Sequence, residues 1–394
     1  MKKRKLNVYL LGKKAGILTE YNTNMRFDYE PTAENKISIR MPLLKKTYTD
    51  KFARPFFENL IPEADIKKAI TKKLGISNNN PISLLFEIGG DCAGAISLYP
   101  IDYKPKIQNE KLKEITKNEF VEILNNLPKS PLLSGNDVRL SLAGAQPKLA
   151  IIYKNGKMFF PNDSFFSTHI IKKENNEYKG IIENEYFCMR LANELGLEIP
   201  NVEIKKIKGT KSLFIKRYDR EDDVRIHQED FCQCLGFVSS KKYQKDGGPS
   251  IKNCFNFIEN HSSMAGKDKK RLIQAVVFNY LIGNNDAHAK NFSMLHQEDG
   301  YFVLAPFYDL VSTTVYPELS KFLAMKIGNA KESNQVRKEN FIELADDLSI
   351  KPNFILKEIE RQKKTIAKAS DKIKKEMKKQ DIFHPILNKI SFVD

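Results

Sequence analysis

The apolar residues of the first hundred positions follow a strand-like spacing. The alternation from Val8 to Ile17, across the glycine-bounded stretch 12–16, predicts a β-hairpin because every second side chain of a strand faces one side of a sheet. Residues 37–41 alternate in the same way, and we expect another strand there. This part of the chain is therefore predicted to be rich in β structure.

Helical spacing and helix-boundary residues begin at residue 62. Pro62 suits a first helical turn and Gly75 suits the position just past a helix end, so a helix is predicted between them. Thr116 and Glu119 form a capping box ahead of another helix. Residues 100–110 lack an apolar period and contain Lys, Pro and Asn, which is typical of a linker.

From residue 148 the chain alternates between predicted strands and helices. Helices are predicted over residues 183–195 and 271–282, and the second is apolar almost all round, as a buried helix would be. Apolar residues at helical spacing predict a further helix over 356–377. Strands are predicted over residues 148–153, 158–160, 169–172, 213–218, 292–295 and 301–305. This mixture of elements indicates an α+β protein.

Composition narrows the class of protein. The chain has 394 residues, 41% of them hydrophobic, which suits two or three folding units of about 150 residues each. It has no run of the ~18 apolar residues that a membrane span requires, so we expect a soluble protein that does not enter a membrane. The five cysteines are an odd number without a CxxC pair, which favours free thiols in a reducing cytoplasm and argues against a metal site at Cys232 and Cys234.

The charge is strongly positive, with 65 Lys and Arg against 49 Asp and Glu and a net charge of +16. Such a charge is compatible with nucleic acid, an acidic protein surface or a nucleotide polyphosphate, and does not choose among them. Much of the excess positive charge lies in residues 357–379, which contain nine Lys and one Arg but only four acidic residues. We interpret this stretch as a packed helix with a solvated basic face in preference to a DNA contact.

Three segments carry candidate chemistry. The first runs from Ser141 to Lys148 and contains Ala143, Gly144, Ala145 and Gln146. Its small residues would let backbone N–H groups approach a polyphosphate, and its terminal lysine could reach the phosphate oxygens. It is not a Walker loop, because the second glycine and the following Ser or Thr are missing. An ordinary tight turn fits this segment alone at least as well.

The second and third segments are Asp286–Asn291 and Asp309. An Asp and an Asn five residues apart on a loop reproduce the spacing of the base and the metal ligand in protein kinase catalytic loops. A kinase then needs a hairpin that returns a second acid to the metal, and Asp309 follows the predicted strands 292–295 and 301–305. Each piece alone is compatible with a turn or a cap, but their order favours phosphoryl transfer.

Two further groups extend this prediction. Lys172 ends a predicted strand and has the place of the strand lysine that pairs with nucleotide phosphates. Glu185, near the start of the next helix, is either its ion-pair partner or a solvated carboxylate, and we expect the solvated form. His288 either orients Asp286 or is only packed, and the sequence leaves both interpretations open.

Several segments together resemble the HipA family of bacterial toxin kinases, and the similarity spans nearly the whole chain. They are residues 53–62, 87–95, 141–148, 227–236, 242–249, 286–293 and 307–310. The resemblance implies a two-lobed protein-kinase-like fold with a small β-rich N-terminal domain and a mostly helical C-terminal lobe. On this basis we expect a β-rich domain over 1–104, a kinase-like N-lobe with the phosphate loop over 105–222, and a helical C-lobe over 223–394.

The resemblance also implies ATP and Mg²⁺ as cofactors and assigns roles by position. Asp286 would be the catalytic base, with His288 beside it, and Asn291 and Asp309 would bind magnesium. Ser141 matches the serine that family members autophosphorylate, and a phosphate there would repel nucleotide. The residues expected to contact ATP are Ala143, Gly144, Ala145, Gln146, Lys148, Lys172, Lys216, Tyr218 and Lys290. Among them, the strand end near Lys216 to Tyr218 would serve as the adenine hinge.

The implied partners are a HipB-like helix-turn-helix antitoxin, operator DNA reached through it, and a translation-related protein substrate, with an aminoacyl-tRNA synthetase expected. Two other interpretations stay open. Lipid and sugar kinases use related loops, so the chain could phosphorylate a small molecule. The charge of +16 also suits a catalytically inactive, DNA-associated regulator.

Overall fold

The computed structural model describes residues 4–22, 24–78, 80–103, 111–127, 146–174, 177–221 and 224–392. Most of the predicted linker 100–110 lies outside these residues. The same holds for Ser141, Ala143, Gly144 and Ala145 of the predicted phosphate loop.

The N-terminal part is an antiparallel five-stranded sheet packed against three helices. The strand order is β4-β3-β2-β1-β5, with the predicted hairpin turning at Leu11 and Gly12. A buried apolar cluster joins the sheet to the helices. The elements are β1 (Lys5–Leu10), β2 (Lys13–Tyr21), β3 (Asn24–Tyr29), β4 (Thr47–Tyr48), α1 (Asp50–Glu58), α2 (Ala64–Leu74), α3 (Pro81–Ile88) and β5 (Ile96–Pro100).

The strand predicted over 37–41 is wrong. The segment forms a turn closed by a single bridge between Ser38 and Met41. The buried Tyr29 hydroxyl accepts the Ile37 N–H at 2.9 Å and donates to the Met41 carbonyl at 2.6 Å. Because the two ends of the segment are tied to one side chain, the chain curls there and cannot join a ladder.

The middle part is an antiparallel six-stranded sheet of order β10-β11-β9-β7-β8-β6. Its own apolar cluster includes α4, which begins at the predicted capping box of Thr116 and Glu119. The elements are β6 (Glu114–Ile115), α4 (Lys117–Asn126), β7 (Lys148–Lys154), β8 (Lys157–Phe159), β9 (His169–Lys173), α5 (Ile181–Glu194), β10 (Val202–Ile207) and β11 (Thr210–Lys216).

The C-terminal part is mostly helical, and its core is the largest apolar cluster of the described residues. The long helix α10 buries Ile355, Ile366 and Ile373 against this core while most of its lysines face outward, as the sequence predicts for a solvated basic face. The elements are β12 (Arg220–Glu221), β13 (Val224–Arg225), β14 (His227–Asp230), α6 (Phe231–Leu235), α7 (Ile251–His261), α8 (Ala265–Leu281), β15 (Ser293–His296), β16 (Phe302–Leu304), β17 (Phe322–Ile327), β18 (Ala330–Glu332), α9 (Lys338–Asp347) and α10 (Pro352–Lys379).

All five cysteines are buried and unpaired, which confirms the prediction of free thiols. Burial raises the pKa of each of these thiols above its ordinary range. The thiolate form that reacts with oxidants and metals is therefore disfavoured.

A buried cluster of charges joins the N-terminal domain to the rest of the chain. Asp91, in the loop after α3, lies 2.7 Å from Arg220 and 3.7 Å from Arg217. It also accepts hydrogen bonds from the backbone and hydroxyl of Ser167 at 3.0 and 2.6 Å. Burial alone would raise the pKa of Asp91, but the nearby arginines hold it well below its usual range. The carboxylate is therefore ionised, as a counter-charge to the arginines must be.

A second contact between the two parts is made by His227 and Glu229 of β14. His227 Nε2 donates to the Ile37 carbonyl at 2.9 Å, and Glu229 accepts from the Ser38 hydroxyl at 2.6 Å and the Ile39 N–H at 2.9 Å. The curled segment 37–41 of the N-terminal domain is thus bound by both of these side chains.

This contact predicts that the folded protein becomes less stable at acidic pH. Burial, with His296 stacked on the ring and Arg225 nearby, lowers the pKa of His227 to about 3 despite the opposing charge of Glu229. Below an ordinary histidine pKa of 6.5 the unfolded chain takes up a proton that the folded protein does not. The free energy of unfolding should therefore fall as pH drops from 6.5 towards 3, by about 1.4 kcal/mol per pH unit within this window.

The measurement is thermal unfolding between pH 7 and pH 4 for the natural chain and for His227→Gln, whose amide can still donate to the Ile37 carbonyl. The variant should show the shallower dependence on pH. Equal slopes would mean that His227 does not contribute.

Candidate active site

A cleft of about 310 Å³ lies between the six-stranded sheet, the helical part and the N-terminal domain. All the site residues predicted from the sequence that fall in the described part of the chain line this one cleft. They are Gln146, Lys148, Lys172, Lys216, Tyr218, Asp286, His288, Lys290, Asn291 and Asp309.

Strand pairing brings the two predicted phosphate-binding lysines together. Lys148 of β7 and Lys172 of β9 are directly paired residues of neighbouring antiparallel strands, and such residues project from the same face of a sheet. Burial and the charge of Lys172 lower the pKa of Lys148, which Asp309 and Glu185 partly oppose. An anion placed between the two ammonium groups would relieve their repulsion.

Lys172 bridges two carboxylates that are far apart in the sequence. Its Nζ lies 2.7 Å from Glu185 Oε1 and 2.5 Å from Asp309 Oδ1. The expectation that Glu185 is solvated is wrong: it is 2% exposed, because α5 is buried along most of its length. Burial would raise the pKa of Asp309, but Lys172 and Lys148 hold it well below its usual range. The Asp309 carboxylate is therefore available as an anionic ligand.

The segment after α8 is held in a fixed shape by its two asparagines. The Asn284 amide donates to Asn279 Oδ1 at 2.7 Å and its carbonyl oxygen accepts the Asp286 N–H at 3.1 Å. Asn285 donates its N–H to Thr313 at 2.8 Å. Gly283 has φ +69, and a Cβ there would meet Thr314 at 2.1 Å, so the tight exit from α8 requires glycine. These contacts set the position of the loop Asp286–Asn291.

This loop and Asp309 meet through the strands β15 and β16. The Tyr308 hydroxyl donates to the Lys290 carbonyl at 2.7 Å, so the residues immediately before Asp309 and Asn291 are hydrogen-bonded. Asp309 adopts φ +53, a left-handed conformation that Asp and Asn tolerate better than most residues. The Asp286 carboxylate is exposed at the cleft and accepts the Tyr243 hydroxyl at 2.8 Å.

His288 is buried in this loop, and its ring packs edge-on against Tyr243 with ring centroids 5.2 Å apart. Burial lowers the pKa of His288 to about 4, although Asp286 opposes the shift, so the ring is neutral at pH 7. Its Nδ1 atom is buried and has no hydrogen-bond partner among the residues described. The ring is therefore placed by packing, and its role in orienting Asp286 stays a prediction.

Lys290 has a set of partners that the sequence analysis missed. Its ammonium lies 2.6 Å from Asn59 Oδ1, 3.0 Å from Asp230 and 3.4 Å from Glu63. Burial would lower the pKa of Lys290, but Asp230 and Glu63 raise it, so the group is charged. Asn59 lies in the segment 53–62 that carries part of the family resemblance, which was the one available signal. A direct contact of Lys290 with nucleotide stays a prediction.

The predicted adenine hinge lies at the end of β11. Lys216 is exposed there, and Tyr218 stacks on Tyr308 with ring centroids 5.7 Å apart and donates to Gln228 at 2.5 Å. Arg217 and Asp219, between and after them, turn into the interface with the N-terminal domain. The hinge segment is thus rigid on its inner side and open to the cleft on the other.

The chemistry of these groups suits a polyphosphate and a divalent cation. Lys148 and Lys172 supply positive charge at one wall, and Asp309 supplies an ionised carboxylate beside them. Asn291 adds an amide oxygen from the same cleft, and oxygen atoms of this kind are the usual ligands of Mg²⁺. These residues therefore fit the metal and nucleotide that the sequence predicts.

Among the described residues, no helix combines the length and the apolar character that a membrane span needs.

Comparisons with known proteins agree with the fold. A family model described as the HipA-like C-terminal domain matches residues 140–377, and one described as the HipA N-terminal domain matches residues 6–99. The chain is 38% identical over 341 residues to a Sinorhizobium fredii protein named putative kinase Y4mE, covering 82% of this chain and 81% of that protein.

Two further comparisons involve Shewanella oneidensis. The chain is 33% identical over 344 residues to the protein named serine/threonine-protein kinase toxin HipA, covering 83% of this chain and 78% of that protein. It also matches the solved structure titled as the HipA, HipB and operator DNA complex, with a TM-score of 0.82 and 29% identity over 92% of this chain and 89% of that chain. The prediction of a two-lobed, kinase-like α+β fold is confirmed. Both domain models match, together over most of the chain, and the two relatives are 38% and 33% identical to it. This protein therefore belongs to the HipA family of kinases.

Proposed function

We propose that this protein is a Mg-ATP-dependent serine/threonine protein kinase that acts as the toxin of a toxin–antitoxin pair. The observation that carries the proposal is the ammonium of Lys172 held between Glu185 and Asp309, in one cleft with Asp286 and Asn291. Protein kinases use such a Lys–Glu pair and such a metal-binding Asp. Membership of the HipA family supports the assignment.

The residues of the cleft would have the following roles in phosphoryl transfer. Lys172 and Lys148 would bind phosphate oxygens, and Asn291 and Asp309 would hold Mg²⁺, which when bound neutralises phosphate charge. Asp286 would accept the proton of the substrate hydroxyl while that oxygen forms a bond to the γ-phosphorus. The bond between the γ-phosphorus and the β–γ bridging oxygen breaks, and ADP leaves. Positioning and charge neutralisation supply most of the rate enhancement in this mechanism.

The partners are proposed from the relatives. The Shewanella structure contains HipB and operator DNA, and we propose a comparable antitoxin and operator for this chain. An aminoacyl-tRNA synthetase remains the expected substrate, and inhibitory autophosphorylation is expected at Ser141. The bounds of the three predicted domains and the cytoplasmic location also stay predictions.

Labelling with γ-³²P-ATP and Mg²⁺ tests the proposal on purified protein. The natural chain should label Ser141, identified by mass spectrometry, and Asp286→Ala should lose the label. Asp371→Ala, which removes an exposed acid of α10, is the control and should label normally. Ser141→Ala should bind ATP with unchanged affinity but lose self-modification.

The other interpretations correspond to different outcomes. Label that appears only on an added metabolite would favour a small-molecule kinase. Protein that fails to bind Mg-ATP but binds DNA alone, with affinity falling steeply as salt rises, would favour a DNA-associated regulator. Label elsewhere on the chain would move the modification site away from Ser141.

A further inference from the structure

We propose that Tyr243 is a positioning residue that fixes the carboxylate of Asp286 for proton transfer. This inference rests on the proposed function, because it assigns a purpose to a neighbour of the proposed base. It also accounts for the segment 242–249, which carries part of the family resemblance and has no role in the mechanism described so far.

The contact is direct. The Tyr243 hydroxyl donates to Asp286 Oδ1 at 2.8 Å, and the tyrosine ring packs edge-on against His288 of the same loop. Burial and the negative charge of Asp286 raise the pKa of Tyr243 well above its ordinary range. The hydroxyl is therefore protonated at neutral pH and acts as a donor to the carboxylate.

The turn that carries Tyr243 is built to hold it in place. The Tyr243 carbonyl accepts the N–H groups of Asp246 and Gly248, both at 3.0 Å. Gly247 has φ +82, and a Cβ on Gly248 would lie 1.9 Å from the Lys241 carbonyl oxygen, so both positions require glycine. Gln244 Oε1 accepts the Lys326 N–H at 2.7 Å, which ties the turn to β17.

The turn is also anchored to the N-terminal domain. Lys242 Nζ lies 2.8 Å from Glu63, whose other oxygen lies 3.4 Å from Lys290 of the catalytic loop. Burial opposes ionisation of Glu63, but Lys290 and Lys242 lower its pKa to about 2, so it is charged at neutral pH. One acid thus links the turn that holds Tyr243 to the loop that holds Asp286.

A fixed Oδ1 has a chemical consequence for the reaction. A carboxylate on an exposed loop can rotate and present either oxygen, in several orientations. With Oδ1 bound to a hydroxyl, Oδ2 is the oxygen that faces the substrate and takes its proton as the new O–P bond forms. Removing the hydroxyl should reduce the fraction of productive orientations and so lower kcat, with little effect on the binding of ATP.

The test is Tyr243→Phe, which keeps the ring and removes only the hydroxyl. Loss of a hydrogen bond to a charged group in this position should lower kcat for phosphoryl transfer about 10- to 100-fold. The KM for ATP should stay within about twofold, because Tyr243 does not contact the phosphate-binding lysines. The matched control is Tyr103→Phe, which removes another Tyr–Asp hydrogen bond, to Asp163 at 2.6 Å, outside the cleft. The control should have the kcat of the natural chain.

Each outcome decides a different point. A kcat for Tyr243→Phe equal to that of the natural chain would refute the positioning role, and a higher kcat would show that the hydroxyl competes with the substrate for Asp286. If Tyr243→Phe lowers thermal stability strongly, Gln244→Ala loosens the same turn and should lower kcat at unchanged KM; a normal kcat there would again refute the role. An active Asp286→Ala would instead refute the role of Asp286 as the base, whereas a natural chain that transfers no phosphate to protein would refute the proposed function.

Discussion

Asp309→Asn is expected to lower phosphoryl transfer by on the order of 10³-fold while leaving the fold intact. The substitution removes one negative charge and keeps the shape of the side chain. Because Asn tolerates a left-handed backbone, it should accept the φ of +53 at this position without added strain. Lys172 keeps its second partner, Glu185, at 2.7 Å, so the buried ammonium is not left unpaired.

The measurement is the single-turnover rate of labelling from γ-³²P-ATP with Mg²⁺ in excess, together with the thermal midpoint. Asp299→Asn is the matched control, because Asp299 is also an aspartate with positive φ, at +64, but lies on the exposed turn between β15 and β16. It should transfer phosphate at the normal rate. In cells, Asp309→Asn should also abolish growth arrest. A normal rate or full toxicity at equal expression would contradict the role of Asp309 as a metal ligand.

Asp91→Ala should lower the free energy of unfolding by about 3–5 kcal/mol, as expected when one partner of a buried ion pair is removed. Asp91 is 4% exposed and lies between Arg217 and Arg220, with Arg225 4.0 Å away. Without it, the carboxylate of Asp219 would be the remaining acid of this cluster. Positive charges buried at the junction of two parts of the chain would then repel one another.

Calorimetry at pH 7 measures this effect, with Asp65→Ala as the control. Asp65 pairs with Lys68 at 2.9 Å, but its side chain is 90% exposed, and exposed pairs contribute between about 0 and 1 kcal/mol. Because Arg217 and Asp219 flank the hinge residue Tyr218, we also expect Asp91→Ala to weaken ATP binding. A stability equal to that of the control would show that the cluster does not hold the N-terminal domain in place.

The apolar pattern was sufficient to predict most of the secondary structure. The predicted strands near 148–153 and 169–172 and the helix over 183–195 are present with shifts of a few residues. Their signals are local, since spacing, caps and glycine stops act within one or two turns. Residues 37–41 alternate like a strand but form a turn, because the distant Tyr29 side chain supplies their hydrogen bonds.

Part of the candidate site could also be predicted from the sequence, and part could not. The sequence predicted a kinase site from the order of three features along the chain, because that order is itself informative. They are the loop Asp286–Asn291, the hairpin after it and Asp309. Glu185 was misjudged and Glu63, Asn59 and Tyr243 were missed, because nothing near them in the sequence reveals what they contact. Their roles depend on partners between 13 and 231 residues away.

What the sequence by itself determined is the set of chemical groups and the local elements that carry them, since backbone preferences and side-chain spacing act over short distances. Only the tertiary structure decided which of those groups share a cleft and which charges face one another. It also decided which of them are ionised, because the pKa of a buried carboxyl or ammonium depends on loss of water and on charges brought close by packing. The same Lys172 that ends a strand in the sequence becomes, through packing, the bridge between Glu185 and Asp309.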